Sequence, residues 1–129
     1  MTPDTPGERA WAERWDRLYD ALSAEPRREV IISLLEAPPE QGLPLPDAAV
    51  SPNQTVDPDT LAVQLRHHHL PVLSDGGYVD WDRDAFVVER GPNFAEPAFV
   101  VDTLLQARAE MPTSLTDKCR VLREMECEG

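Results

Sequence analysis

Three consecutive histidines, His67-His68-His69, lie in a segment that also holds Thr60, Gln64 and Arg66. Imidazoles bind metal ions and move protons, so the triplet is the first place to look for chemistry. Successive helical residues point about 100° apart, which keeps the three from converging on one ion from a regular helix. The reading that fits best is a neutral, hydrogen-bonded imidazole at His69, on the same face as Leu65 and just before Pro71. The polar residues around it suit another task. Gln pairs bidentately with adenine and Arg with guanine in a major groove. Thr60, Gln64, Arg66 and His67 are therefore candidate contacts to DNA bases, the alternative being an ordinary solvated helix face. Arg83, between Asp82 and Asp84, is a candidate phosphate or minor-groove contact, or merely part of a turn. Arg27-Arg28 is a second candidate phosphate contact, with Glu25 and Glu29 as the alternative partners.

Other chemistry finds no carrier. The chain has no HExxH, no GxSxG, no glycine-rich phosphate loop and no cysteine beside an evident base. We expect a non-enzyme, with no cofactor and no metal site. Cys119 and Cys127 are the two cysteines. On one helix they would stand roughly 12 Å apart in rise, too far for a bridge. A reducing cytoplasm fits them.

These side chains must be positioned by elements that the apolar spacing marks out. Trp11, Trp15, Leu18, Tyr19 and Leu22 share one helical face, predicting a helix over 9–24. Val30, Ile31, Leu34 and Leu35 predict a second over 26–36, opened by Pro26 and closed by Pro38-Pro39. Six prolines fall in 38–58, which reads as loop with a short helical turn at 47–51. Asp57 is a natural N-cap and Pro58 a natural first helical residue, so a third helix spans 57–74. Leu61, Ala62, Leu65, His69 and Val72 share its inner face; Leu70 falls near the other side. Pro71 predicts a kink or restart near Leu70, and Gly76-Gly77 ends the helix. Residues 78–82 and 85–89 alternate at period two, with Val79 and Trp81 on one face and Phe86 and Val88 sharing a face. They predict a hairpin joined by Arg83-Asp84. A last helix over 96–111 carries the stripe Phe99, Val100, Leu104, Ala107 and Met111. The remainder, 114–127, is at best a short amphipathic segment.

The expected class is mainly α with a β-hairpin. Helices followed by a hairpin give the order of a winged helix-turn-helix with an added C-terminal helix. The expected division is a loose tail at 1–8, the winged-helix domain at 9–95, and the C-terminal helix and tail at 96–129. The 96–111 stripe packs either on Trp11 and Trp15 of its own chain or on its symmetry mate, and we expect a homodimer through it.

Charge narrows the setting. Asp and Glu number 24 against 12 Lys and Arg, a net charge of −12, and Lys118 is the sole lysine. Such a surface argues against an ordinary basic nucleic-acid binder. It suits a halophilic protein: at about 1 M salt the Debye length is about 3 Å and crowded carboxylates repel weakly. No apolar run approaches the roughly 20 residues of a membrane span and no signal peptide is recognisable, so we expect a cytoplasmic protein without a membrane partner.

Two stretches carry a family likeness. Leu22-Ser23-Ala24-Glu25-Pro26-Arg27-Arg28-Glu29-Val30, with Leu34-Leu35, resembles a helix signature of a haloarchaeal winged helix-turn-helix family catalogued as a domain of unknown function. More specifically, His67, His69, Leu70-Pro71 and Leu73, followed by Gly77, Tyr78, Val79 and Asp80, resemble that family's His-x-His-Leu-Pro-x-Leu motif and the acidic strand after it. The likeness covers about residues 15–90. It implies a winged-helix fold and a role in transcription regulation through duplex DNA. The chain departs from the pattern in its proline-rich 38–58 segment and in Val72, where the family has a basic residue. The expectation is a DNA-binding transcription regulator; the alternative is a winged-helix module that binds protein through its acidic wing and last helix.

Overall fold

The computed structural model describes residues 6–51 and 55–116. The fold is mainly helical with a small three-stranded antiparallel sheet. Helix α1 runs over Pro6–Ala21 and α2 over Glu25–Glu36. The first begins earlier than its apolar stripe, so residues 6–8 of the expected tail are helical; the rest of that tail lies outside the described residues. The second opens with Pro26 in its first turn and buries Arg27, Val30, Ile31 and Leu34.

The proline-rich segment is more ordered than its composition suggests. Leu43–Pro44 forms a short strand, β1, and Asp47–Ala49 a 3-10 turn that buries Ala48 and Ala49. The Ser33 hydroxyl donates to the Ala48 carbonyl at 2.7 Å and fastens that turn to α2. Proline is tolerated in β1 because the strand lies at a sheet edge.

The long helix predicted over 57–74 is three pieces without a gap: α3 (Pro58–Gln64), a π-helical turn (Leu65–His69) and α4 (Leu70–Asp75). Asp57 caps it, its carboxylate accepting from the Thr60 N–H at 3.0 Å and the Thr60 hydroxyl at 2.7 Å. In the π turn the Leu70 N–H reaches back five residues to the Leu65 carbonyl. The extra residue rotates all that follows by about 100°. The buried series is therefore Leu61, Leu65, Leu70, Leu73, not the uniform stripe through His69 and Val72. Leu70, expected near the polar side, is fully buried for this reason. The restart that Pro71 implies is present, taken up by the widened turn.

Gly77, at φ +74°, turns the chain where L residues are strained. Strands β2 (Val79–Asp82) and β3 (Val87–Arg90) follow, with Val79 opposite Arg90 and Asp82 opposite Val87. The connection is four residues, Arg83 to Phe86, rather than Arg83-Asp84 alone, because Phe86 takes a left-handed φ of +55°. It therefore leaves the strand it was expected to share with Val88. Strand β1 joins the far side of β3 with Leu43 opposite Val88, giving the order β1-β3-β2. Arg90 donates to the Leu34 and Ala37 carbonyls at 2.8 and 3.1 Å and so satisfies the end of α2.

Helix α5 spans Ala95–Gln106, followed by 3-10 turns at Arg108–Glu110 and Thr113–Leu115. It turns Pro97 and Val101 to the core and leaves Phe99 and Leu104 exposed. Of the stripe expected over 96–111, Val100 packs against the core while Phe99 and Leu104 are exposed, and Ala107 and Met111 lie beyond the helix. One core joins α1, α2, the α3–α4 helix, the sheet and α5. Cys119, Cys127 and most of the expected 114–127 segment lie outside the described residues. Among the described residues no helix is long and apolar enough to cross a membrane.

Candidate nucleic-acid interface

Helix α3 and its π turn carry four of the five expected contacts. Thr60, Gln64 and His67 are exposed on one side, beside exposed Val63 and His68. This side is not covered by the rest of the described chain. The Thr60 hydroxyl spends its proton on Asp57, so toward a ligand it can only accept. Gln64 keeps a complete amide edge for pairing.

Arg66 is set apart from these three. It is half-buried, its guanidinium carbon over the Phe86 ring, 3.9 Å from the centroid. The contact is a cation–π one, the guanidinium charge against the ring's electron-rich face. It also ties the helix to the β2–β3 ribbon, and the left-handed Phe86 backbone is what aims that ring at Arg66. Arg83 sits at the exposed ribbon tip, 4.8 Å from the Trp81 ring centroid. The Asp82 carboxylate meanwhile accepts from the Asp84 and Ala85 N–H groups at 2.8 and 2.9 Å, shaping the turn. The structure thus places Thr60, Gln64 and His67 together, with Arg66 on the flank toward the ribbon and Arg83 out on it.

The electrostatics oppose a polyanion. Residues 57–90 hold three Arg against seven Asp and Glu. Asp80 stands directly opposite Glu89 across the ribbon, both exposed, a like-charge pair that weakens the ladder.

Beneath the helix lies a cluster centred on Arg27. Its side chain is 4% exposed, which removes it from the candidate phosphate contacts. The guanidinium donates to the carbonyls of Ala21 at 3.2 Å and Asp20 at 3.1 Å and to the Ser23 hydroxyl at 2.8 Å, closing the end of α1. A fourth contact runs from Nη1 to Nδ1 of His69 at 3.0 Å. Arginine only donates, so His69 Nδ1 must accept, and its proton sits on Nε2. Burial first, then the Arg27 charge and then His68, pull the His69 pKa from 6.5 to about 4. His69 is therefore a neutral imidazole that pins the π turn to the α1–α2 junction. Arg28 remains exposed but donates to the Leu22 carbonyl at 2.7 Å. The apolar spacing does not mark Arg27 for this role, because it carries the first helix to residue 24, past the Asp20 and Ala21 carbonyls that Arg27 satisfies.

Among the described residues no group of three or more His, Cys, Asp or Glu is arranged to hold a metal ion. Comparison with known proteins found no matching family model, no matching curated relative and no matching solved structure.

Proposed function

We propose that the chain is a winged helix-turn-helix protein that binds duplex DNA and regulates transcription in a high-salt cytoplasm. The observation that carries this reading is the uncovered side of α3, with Thr60, Gln64 and His67, held beside an exposed ribbon through Arg66 and Phe86. In this reading the Asp47–Ala49 turn is the positioning element, α3 enters the major groove and the β2–β3 ribbon is the wing. The order β1-β3-β2 supports it, since the strand from the proline-rich segment anchors the ribbon to the body. The likeness of residues 65–82 to the haloarchaeal family supports it as well.

The acidic ribbon sets the condition. In dilute buffer it repels a duplex; in molar salt both this repulsion and the counterion-release gain shrink. Affinity then rests on hydrogen bonds from Gln64 and Arg66 and on shape. Anisotropy titrations of labelled genomic fragments, from dilute to molar KCl, test the proposal. Saturable, sequence-selective binding that persists in molar salt is the expected result; no selective binding at any salt refutes it.

One observation favours a second reading. The Asp80–Glu89 pair with Asp82 makes the ribbon an acidic surface, suited to a basic protein partner. Under that reading Asp80→Asn and Glu89→Gln weaken partner capture, whereas under the DNA reading they strengthen duplex binding.

A further inference from the structure

Arg90, the last residue of β3, has more donors than the fold uses. Its Nη2 spends its protons on the Leu34 and Ala37 carbonyls at the end of α2, which leaves Nη1 and Nε. The Nε is buried with no acceptor among the described residues. No carboxylate pairs with this guanidinium there either, since the ion pair that α5 makes goes to Arg14. What faces the charge is a ring: Phe94 lies with its centroid 4.8 Å from the guanidinium carbon. Beside Arg90 opens a pocket of about 470 Å³, between the end of α2 and the first turns of α5. Leu35, Phe94, Ala98 and Phe99 give it apolar walls. Phe99, on its rim, keeps 69% of its surface exposed.

We propose that this pocket binds a small monocarboxylate with an apolar tail, its carboxylate on Arg90 and its tail along Leu35, Ala98 and Phe99. Three features select that class. The unpaired guanidinium calls for an anion, and the nitrogen left over by the carbonyls, Nη1, is the donor it offers. The walls are apolar, and a cavity of this size suits a small molecule held by a few polar groups. The chain's net charge of −12 repels an anion in proportion to the anion's own charge. It therefore disfavours phosphate esters and other polyanions far more than a single carboxylate. Asp102 also borders the pocket, but its carboxylate accepts from the Gln106 amide at 2.8 Å, one turn further along α5. The neighbouring groove between α1 and α5, about 360 Å³, lacks the deciding feature: its cation, Arg14, is already paired with Glu96.

Binding in this pocket does not depend on DNA binding. Calorimetric titration of the full chain in molar KCl with octanoate and with hydrocinnamate tests it. At least one should bind saturably, one per chain, with a Kd of about 1 mM or tighter. Hydrocinnamamide, the same shape without the charge, should bind about tenfold more weakly than its acid, the loss of a charge-assisted hydrogen bond. Phe99→Ala, at an exposed position that leaves the fold intact, should weaken the acids by about fivefold through lost apolar contact. Arg90→Gln should bring acid and amide to the same affinity, a convergence that a purely structural Arg90 would not produce. Arg14→Gln, in the neighbouring groove, should leave acid binding unchanged. Saturation by neither acid up to about 10 mM, equal binding of acid and amide by the wild type, or undiminished acid binding by Phe99→Ala overturns the proposal.

Discussion

His69→Gln should remove a pH dependence of stability without removing the contact it serves. In the folded chain the imidazole is held at a pKa of about 4 against an ordinary 6.5. Between these values the unfolded chain binds a proton that the folded chain rejects, so stability rises with pH across that window. As pH falls through 6.5 the stabilisation begins to drain away, and the loss is complete only below about 4. At 1.36 kcal/mol per unit the shift corresponds to about 3 kcal/mol. Part of the ring meets solvent, which screens it, and we expect about 2 kcal/mol. The amide introduced by His69→Gln offers Arg27 a carbonyl oxygen in place of Nδ1, and it cannot take up a proton. Urea denaturation in molar KCl at several pH values between 7.5 and 4 gives the comparison. Protonation of carboxylates is common to both proteins and drops out of the difference. Wild type should lose about 2 kcal/mol more than His69→Gln on acidification. Parallel profiles would refute the neutral, Arg27-facing imidazole.

Other consequences of the same geometry can be checked by denaturation. Arg27→Met leaves the Asp20 and Ala21 carbonyls, Ser23 and His69 without their donor and should cost about 3 kcal/mol, lowering Tm by roughly 10 °C or more in a thermal melt. Leu70→Ala should cost about 2–5 kcal/mol, whereas Val72→Ala, at a half-buried site, should cost about 1 kcal/mol; a reversed order would mean that the π turn does not set the register. Glu89→Lys should raise the urea midpoint by the equivalent of a few tenths of a kcal/mol by ending the clash with Asp80, with the gain larger in dilute buffer than in molar salt.

The elements with local signals were legible. Asp57-Pro58 marks the start of α3 and Gly76-Gly77 the end of α4, because capping and left-handed turns depend on a few adjacent residues. The alternation at Val79 and Trp81 reports a strand with one face inward. What escaped depends on distance or on a change of register. Strand β1 is two residues long, too short for any period, and exists because Leu43 meets Val88 far along the chain. The π turn adds one residue to a helix, and a uniform 100° wheel then assigns Leu70 and Val72 to the wrong sides. Helix α5 sets Glu96, Asp102, Thr103 and Gln106 on one side with Phe99 among them, so the expected stripe, by joining Phe99 to Val100 and Leu104, mixes an outward ring with residues of the apolar side.

The candidate interface was legible by the same rule. Thr60, Gln64 and His67 are exposed where helical spacing places them. The spacing does not reveal that Arg66 sits over Phe86, since that pairs a helix residue with one in the ribbon's turn, where Phe86 takes a left-handed φ. It does not reveal the depth of Arg27 either, since the carbonyls it satisfies belong to the preceding helix.

A footprint tests the role of α3 most directly. Genomic fragments enriched by the wild-type chain in molar KCl should show a protected major-groove segment. Gln64→Ala with Arg66→Ala, folded as judged by an unchanged far-ultraviolet circular dichroism spectrum and a cooperative melt, should erase that protection. Enrichment of no fragment by the wild type, or a footprint identical in the double variant, would contradict the assignment of α3 as the reading helix.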